Sequence, residues 1–325
     1  MKTILLYLIP CLSVIPIFAS EVSETQALCL TSQTQIRISS PYTPLEKNAL
    51  HAFDYLLYEA GLDGSLTHEQ RDEKTIKFKM LAKNISPGLD AILTSLLLDE
   101  TRSRILEMLQ NAGLDEFEIN EHLEDYNEVI LRAENMNVEL ARELLFFVAE
   151  LKIHRQYVYD FGVALGCPEK QLLRHDLCKL HVEQFEAYAR YFRGGRLEVD
   201  RPAYLAAWEI HQLEEHHIES YGKEGFSFDN FPEERLRNNM LESVADLQAS
   251  TKQRGGSTLI DWLVNNFPKK NPHPRLLPYL EEGLKMAHAF YLNCEENPGS
   301  DNIFKGLPCW DNDVEEMFNK LKTNP

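Results

Sequence analysis

The sequence predicts an all-α fold. Three observations carry that expectation. Apolar residues recur at helical spacing, proline-containing start signals stand ahead of several of these stretches, and no segment alternates apolar and polar residues as a half-buried strand does. Of 325 residues, 44% are apolar and 26% charged, enough to bury one large or two modest cores and too apolar for disorder throughout. The net charge of -18 argues against binding a nucleic-acid backbone or an anionic lipid surface. A small anionic substrate remains compatible, because Arg155, Lys179 or a bound metal can override the global field locally.

Residues 1–19 read as a secretory signal peptide. Lys2 precedes an apolar run from Ile4 to Phe18, Ala19 is a plausible last residue before cleavage, and the chain turns polar at Ser20-Glu21. Pro10 and Pro16 interrupt a run already short for a membrane span, so no stable span is expected after cleavage. The protein is expected outside the cytoplasm, secreted or periplasmic, with an uncleaved N-terminal anchor as the alternative. Residues 20–42, rich in Ser, Thr and Gln, read as a linker.

A helical N-terminal module is expected over 43–136. Thr43-Pro44 is a helix start, and Leu89, Ile92, Leu93, Leu96 and Leu97 mark one buried face after Ser86-Pro87. Ala-Gly-Leu-Asp occurs at 60–63 and again at 112–115, which fits either a duplicated hairpin or shared capping chemistry, with Gly61 and Gly113 as left-handed helix ends. This module holds no cluster of reactive side chains. Its expected work is packing, recognition or covering a site, and no protein partner can be named for it.

The stretch 137–268 carries the chemistry. A helix over 138–161 keeps Leu140, Leu144, Phe147, Val148, Leu151, Val158 and Phe161 on one stripe, and His154 falls on that stripe. A turn at Gly166-Cys167-Pro168 sends the chain back. At ~1.5 Å per residue, His154 lies up to ~18 Å below this turn and His175 only ~10 Å, so they meet only if the first helix ends early or the two cross at an angle. Read as helix, Arg174-His175-Asp176-Leu177-Cys178-Lys179 puts His175 and Lys179 on one face. Phe185, Tyr188 and Tyr191 continue toward Gly194-Gly195. There Arg193, Arg196 and Arg201 form a charge cluster that is either solvated or in contact with a substrate phosphate.

Pro202 opens a helix with Tyr204, Trp208 and His211 on one stripe. His216 and His217 fall on other faces, so the helix must end or bend near Glu214-Glu215 for the three imidazoles to meet. From Pro232 onward, Met240, Val244 and Leu247 are expected to be buried, while Glu242 and Asp246 share a face. Gly255-Gly256 is a flexible loop and a candidate lid. Residues 269–325 are expected to form helices packed on the bundle. Of the five cysteines left after cleavage, Cys294 and Cys309 are the pair to test for a disulfide. Cys178 is either a small packed residue, a soft ligand or an oxidisable thiol.

The series His154-Arg155, His175-Asp176-Leu177-x-Lys179, Glu183-x-Phe185-x-x-Tyr188, Trp208-x-x-His211, His216-His217 and Met240-x-Glu242-x-x-x-Asp246 resembles the HD-domain superfamily of metal-dependent hydrolases. More closely it is similar to an HD-like family of unknown function from bacteria and phages, over about residues 150–265. The resemblance implies a metal centre with Asp176 bridging, His154, His175, His211 and His217 divided between the ions, and Asp246 on one of them. It implies one or two divalent transition ions, Fe, Mn, Zn or Co, which mixed nitrogen and oxygen ligands suit equally. Lys179 would then stabilise substrate charge, Glu242 would act as a base or as an acceptor behind a ligand, and His216 would face the substrate or support the ligands.

The expected activity is hydrolysis of a small phosphomonoester or phosphodiester. A diiron oxygenase of the same superfamily, acting on a small alcohol or phosphonate, is the alternative enzyme. The non-catalytic alternative is an exported helical interaction protein with a relic site.

Overall fold

The computed structural model describes residues 43–62, 68–133, 136–222, 226–229, 231–254, 259–297 and 302–323. The expected signal peptide, the linker and the Gly255-Gly256 lid lie outside the described residues. Among those described there are twelve α-helices and no strand, so the fold is all-α.

The first four helices are α1 (Pro44–Leu62), α2 (His68–Ala82), α3 (Pro87–Asn111) and α4 (Glu116–Arg132). Thr43 caps α1, accepting from the Glu46 amide at 3.3 Å while its own amide donates to Glu46 Oε2 at 2.6 Å. Ser86 caps α3 and Asp115 forms a capping box with Glu118 at the start of α4. Between them Gly113 takes φ +67°, the left-handed conformation expected there. Gly61 differs from the expectation: it lies inside α1, which continues to Leu62, and has no positive φ.

The axis of the molecule is α5 (Val138–Leu165), capped by Asn137 and ended by Gly166 at φ +83°. The expected stripe is buried, but so are Ala141, Leu145, Phe146 and Ala149 on its other side. A helix apolar around most of its circumference belongs inside a bundle. Three apolar clusters meet on it. Leu145 and Phe146 pack with Leu56, Ala60, Leu93 and Leu97 of α1 and α3. Leu144, Phe147, Val148 and Leu151 pack with Leu109, Tyr126 and Phe185. Val158, Phe161 and Leu165 join the C-terminal cluster with Leu236, Met240 and Val244.

After α5 the chain breaks into short pieces: α6 (Glu169–Leu172), a 3-10 turn at Leu177–Leu180, α7 (Phe185–Arg193) and α8 (Arg201–His211). A further 3-10 turn at Ile218–Gly222 leads to α9 (Glu233–Arg254), which packs along α5 and α11. The chain then runs through α10 (Leu259–Asn266), α11 (Leu277–Glu296) and α12 (Asn312–Thr323).

Cys294 and Cys309, the pair to test for a disulfide, are both free and buried. Each thiol instead donates to a main-chain carbonyl, Cys294 to Phe290 at 3.0 Å and Cys309 to Leu284 at 3.3 Å. The arginines at and after the end of α7 also depart from a uniformly solvated cluster. Arg193 is buried and paired with Glu150 Oε2 at 2.8 Å, Arg196 lies over the Phe192 ring, and Arg201 stays exposed.

Candidate metal centre

His175, Asp176 and Lys179 do not sit on a helix face. The α6 helix stops at Leu172, residues 173–176 form a turn, and Asp176 adopts φ 61°, ψ 10° ahead of the 3-10 turn. This left-handed backbone is uncommon outside glycine but is one that aspartate tolerates. The short α6 removes the register conflict between His154 and His175, because the chain falls back toward the middle of α5 as a turn. Close packing helps: a Cβ on Gly162 of α5 would stand 2.3 Å from Leu172 Cδ2. The turn is pinned by Arg155, whose Nε donates to the His175 carbonyl at 2.8 Å and whose Nη2 donates to that of Leu173. Burial pulls Arg155 down to about 10, still charged at neutral pH.

Asp176 is the hub, and its two oxygens face different imidazoles. Oδ2 lies 3.4 Å from His154 Nε2, 3.5 Å from His175 Nε2 and 2.5 Å from Lys179 Nζ. Oδ1 lies 3.3 Å from His211 Nε2 and 3.9 Å from His216 Nε2. His154 Nε2 is also 3.1 Å from Asp246 Oδ1, so the side chains from α5 and α9 meet here. Helix α8 ends at His211, and the following turn brings the other two histidines back: His217 Nε2 is 2.8 Å from His211 Nε2, and the rings of His216 and His217 are 4.2 Å apart.

The six expected ligands, His154, His175, Asp176, His211, His217 and Asp246, therefore converge with Lys179, His216 and Glu242. Ligating atoms of His154, His175 and Asp176 lie within 4.8 Å of one another, as do those of His211, His216 and His217. These buried groups could hold a metal ion.

Supporting contacts set the ring orientations. Glu242 Oε1 lies 2.8 Å from His175 Nδ1, and its Oε2 accepts from Gln171 Nε2 at 2.5 Å. With its proton on Nδ1, His175 presents the lone pair of Nε2 to Asp176. Of its two expected roles, Glu242 has the geometry of an acceptor behind His175, and the cavity over the cluster is lined by other residues. Cys178 Sγ makes the corresponding contact at 3.2 Å from His211 Nδ1, a positioning role beyond the expectations for that cysteine. His216 sits behind the opening, its Nδ1 3.9 Å from Glu242 Oε1.

The electrostatics follow from this crowding. Burial penalises the Asp176 and Asp246 carboxylates, but the surrounding histidines, with Lys179 on Asp176, outweigh it and hold both well below the usual range. Burial pushes His211 down to about 2, with Lys179 adding to the effect, and His216 and His217 are also lowered by burial and by neighbouring imidazoles. For His175 burial acts the same way, but Asp176 and Glu242 outweigh it and raise it. Lys179 is raised likewise by Asp176 against burial.

His175 Nε2, Asp176 Oδ1 and His216 Nε2 are buried with no hydrogen-bond partner and all face the centre of the cluster. Three such atoms in one place are expensive unless a further group satisfies them. The nitrogen and oxygen donor set fits a divalent transition ion.

Residues 143–286 match the model of a family of unknown function, DUF5662. That stretch contains every member of the cluster, from His154 to Asp246. No curated protein and no solved structure matches the chain.

Proposed function

We propose that the protein is a metal-dependent phosphohydrolase of the HD type, acting on a small phosphomonoester or phosphodiester. The observation that carries the reading is the division of imidazoles between the two oxygens of Asp176, the arrangement a bridging carboxylate requires. His154, His175 and Asp246 would hold one ion and His211, His216 and His217 the other, with Asp176 shared. Bound divalent ions would supply Lewis acidity, lowering the pKa of water and neutralising charge on phosphoryl oxygens.

The chain's own residues supply the rest. A cavity of about 560 Å³ opens over the cluster. Tyr188, Tyr204, Trp208 and Trp262 give it apolar walls, and its two cations are Lys179, paired with Asp176, and Lys270, paired with Glu219. Lys179 is half-buried, and held by Asp176 it stands where a phosphoryl oxygen would need a counter-charge. Glu242 would keep the His175 proton on Nδ1, and Cys178 Sγ, 3.2 Å from His211 Nδ1, would accept a hydrogen bond from that nitrogen, leaving both Nε2 atoms free to ligate. Export is part of the proposal and rests on the pattern of residues 1–19. No helix among the described residues is long and apolar enough to cross a membrane. Cell fractionation with mass analysis of the mature N-terminus tests export.

The deciding experiment is elemental analysis of protein purified without chelator, followed by phosphatase and phosphodiesterase assays with Mn, Fe or Zn. Stoichiometric metal and turnover that His175→Ala plus Asp176→Ala abolishes are the expected result, with Lys179→Met retaining metal and losing turnover. Oxygen consumption coupled to turnover would replace this reading by the oxygenase. Absence of bound transition metal, or turnover unchanged in the double variant, would overturn it.

A further inference from the structure

A separate group of ligating side chains lies on the other side of the Leu177–Leu180 turn. His122 and Asp125 stand three residues apart on α4, one turn of the same face. His181 is the residue that ends the 3-10 turn. One ligating atom from each lies within 4.8 Å of the other two. Asp125 Oδ2 is 3.9 Å from His181 Nδ1, and the rings of His122 and His181 meet edge-on with centroids 5.0 Å apart.

An ordinary histidine–aspartate ion pair does not account for this group. The 3.9 Å separation is too long for a hydrogen bond, and His122 Nδ1 is buried with no hydrogen-bond partner. Burial, with the neighbouring His181 adding to it, pushes His122 down to about 4, so at neutral pH it is an uncharged imidazole with a lone pair to offer. Tetrahedral ligands held ~2.0–2.2 Å from a zinc ion stand about 3.3–3.6 Å from one another, so a bound ion would draw these three atoms, now within 4.8 Å, somewhat closer together. The His181 side chain is 47% exposed, leaving a solvent-facing fourth position.

We propose that His122, Asp125 and His181 form a second divalent-metal site, of the kind zinc fills, distinct from the cluster around Asp176. Its ion would tie α4 to the turn that carries Asp176 and Lys179, so the N-terminal helices and the central cluster would share a metal crosslink. Two imidazoles, one carboxylate and one water are a normal zinc set, whereas Mg or Ca would demand more oxygen ligands than this place offers.

The test uses the full chain, stripped with chelator and titrated with Zn²⁺ and, for its visible spectrum, Co²⁺. In a His175→Ala, Asp176→Ala, His211→Ala and His217→Ala background, which removes ligands from both halves of the central cluster, one equivalent of zinc and a Co²⁺ absorption band are expected. Adding His181→Gln or His122→Gln should remove both. A background variant that takes up no zinc, or uptake unchanged by the added substitutions, would overturn the site. Should the background variant fold poorly, His181→Gln alone decides: the half-exposed residue is safe to replace, one zinc equivalent fewer than the unchanged chain supports the site, and equal uptake refutes it. None of these readouts depends on phosphohydrolase activity.

Discussion

Replacing Glu242 by Gln isolates the carboxylate that aims His175. Glu242 is 4% exposed and accepts from two donors at once, His175 Nδ1 at 2.8 Å and Gln171 Nε2 at 2.5 Å. Glutamine keeps the volume but has only one acceptor oxygen. If that oxygen faces His175, the new amide group confronts the Gln171 amide. Gln171 is itself held by Asn239 Oδ1 at 3.0 Å and cannot turn without losing that bond. The opposite rotamer turns an N–H toward the imidazole and favours the wrong tautomer. One buried donor is thus left unmet, costing about 1–3 kcal/mol. Loss of such an outer partner lowers metal affinity about 10- to 100-fold, or about 1.4–2.8 kcal/mol. A competition titration against a chromophoric chelator near neutral pH reads this directly, with thermal unfolding to establish that the variant is folded. A folded E242Q protein whose affinity stays within about twofold of the parent would refute the idea that Glu242 fixes the His175 ring.

Three further outcomes follow from the same geometry. Arg155→Met removes both donors that pin the left-handed turn at Asp176 and should cost about 3–6 kcal/mol in urea unfolding, at charge-assisted hydrogen-bond values; a loss under about 1 kcal/mol would show that the turn holds itself. Gly162→Ala forces a Cβ against Leu172 and should destabilise by about 1–3 kcal/mol through overpacking, measured by the same denaturation. In chelator-stripped protein, stability should fall as pH drops below about 6.5, the unfolded histidine value. His211, His216 and His217 have lowered pKa values in the folded chain, so below that pH the unfolded chain binds protons the folded chain does not. His175, raised, acts in the opposite sense, but three lowered groups outweigh one. Asp176, Asp246 and Glu242, all lowered, contribute stability above the unfolded carboxylate range that is lost at still lower pH. Unfolding midpoints flat across this window would contradict the burial of those imidazoles.

Helical periodicity and capping signals made the fold class legible, because an apolar stripe and its start signal are local properties of the chain. The order of histidines and aspartates likewise marked which side chains converge. What stayed hidden is what depends on packing. Arg174 to Lys179 reads as helix by spacing, yet α6 stops after four residues and Asp176 turns left-handed. That stop is enforced from α5, by Arg155 on the turn's carbonyls and by Gly162 against Leu172, and neither partner is near in sequence. Arg193 carries no local mark separating it from its solvated neighbours, and only the fold puts Glu150 beside it. The positioning role of Cys178 needs His211 at 3.2 Å, 33 residues away. The expectation that the N-terminal module holds no cluster of reactive side chains passed over His122 and Asp125, because their third member, His181, lies beyond α5 and α6.

The cluster survives in the fold because the elements that bear it are fixed for other reasons. Helix α5 is committed to three apolar clusters, which sets His154 and Arg155 before any polar contact is counted. Helix α9 is held against α5 by Leu236, Met240 and Val244, all fully buried, and that places Glu242 and Asp246 on the facing side. Between these two rigid supports the turn at Asp176 can be kept in a conformation costing of order 1–3 kcal/mol. Lys179 and the imidazoles offset part of the burial of its carboxylate, while the atoms at His175 Nε2, Asp176 Oδ1 and His216 Nε2 remain without hydrogen bonds. A fold that served only its own stability would gain by filling this space with apolar side chains. Apolar packing on both flanking helices thus maintains a polar centre that does not stabilise them, and a bound ion is the simplest ligand whose affinity would compensate that cost.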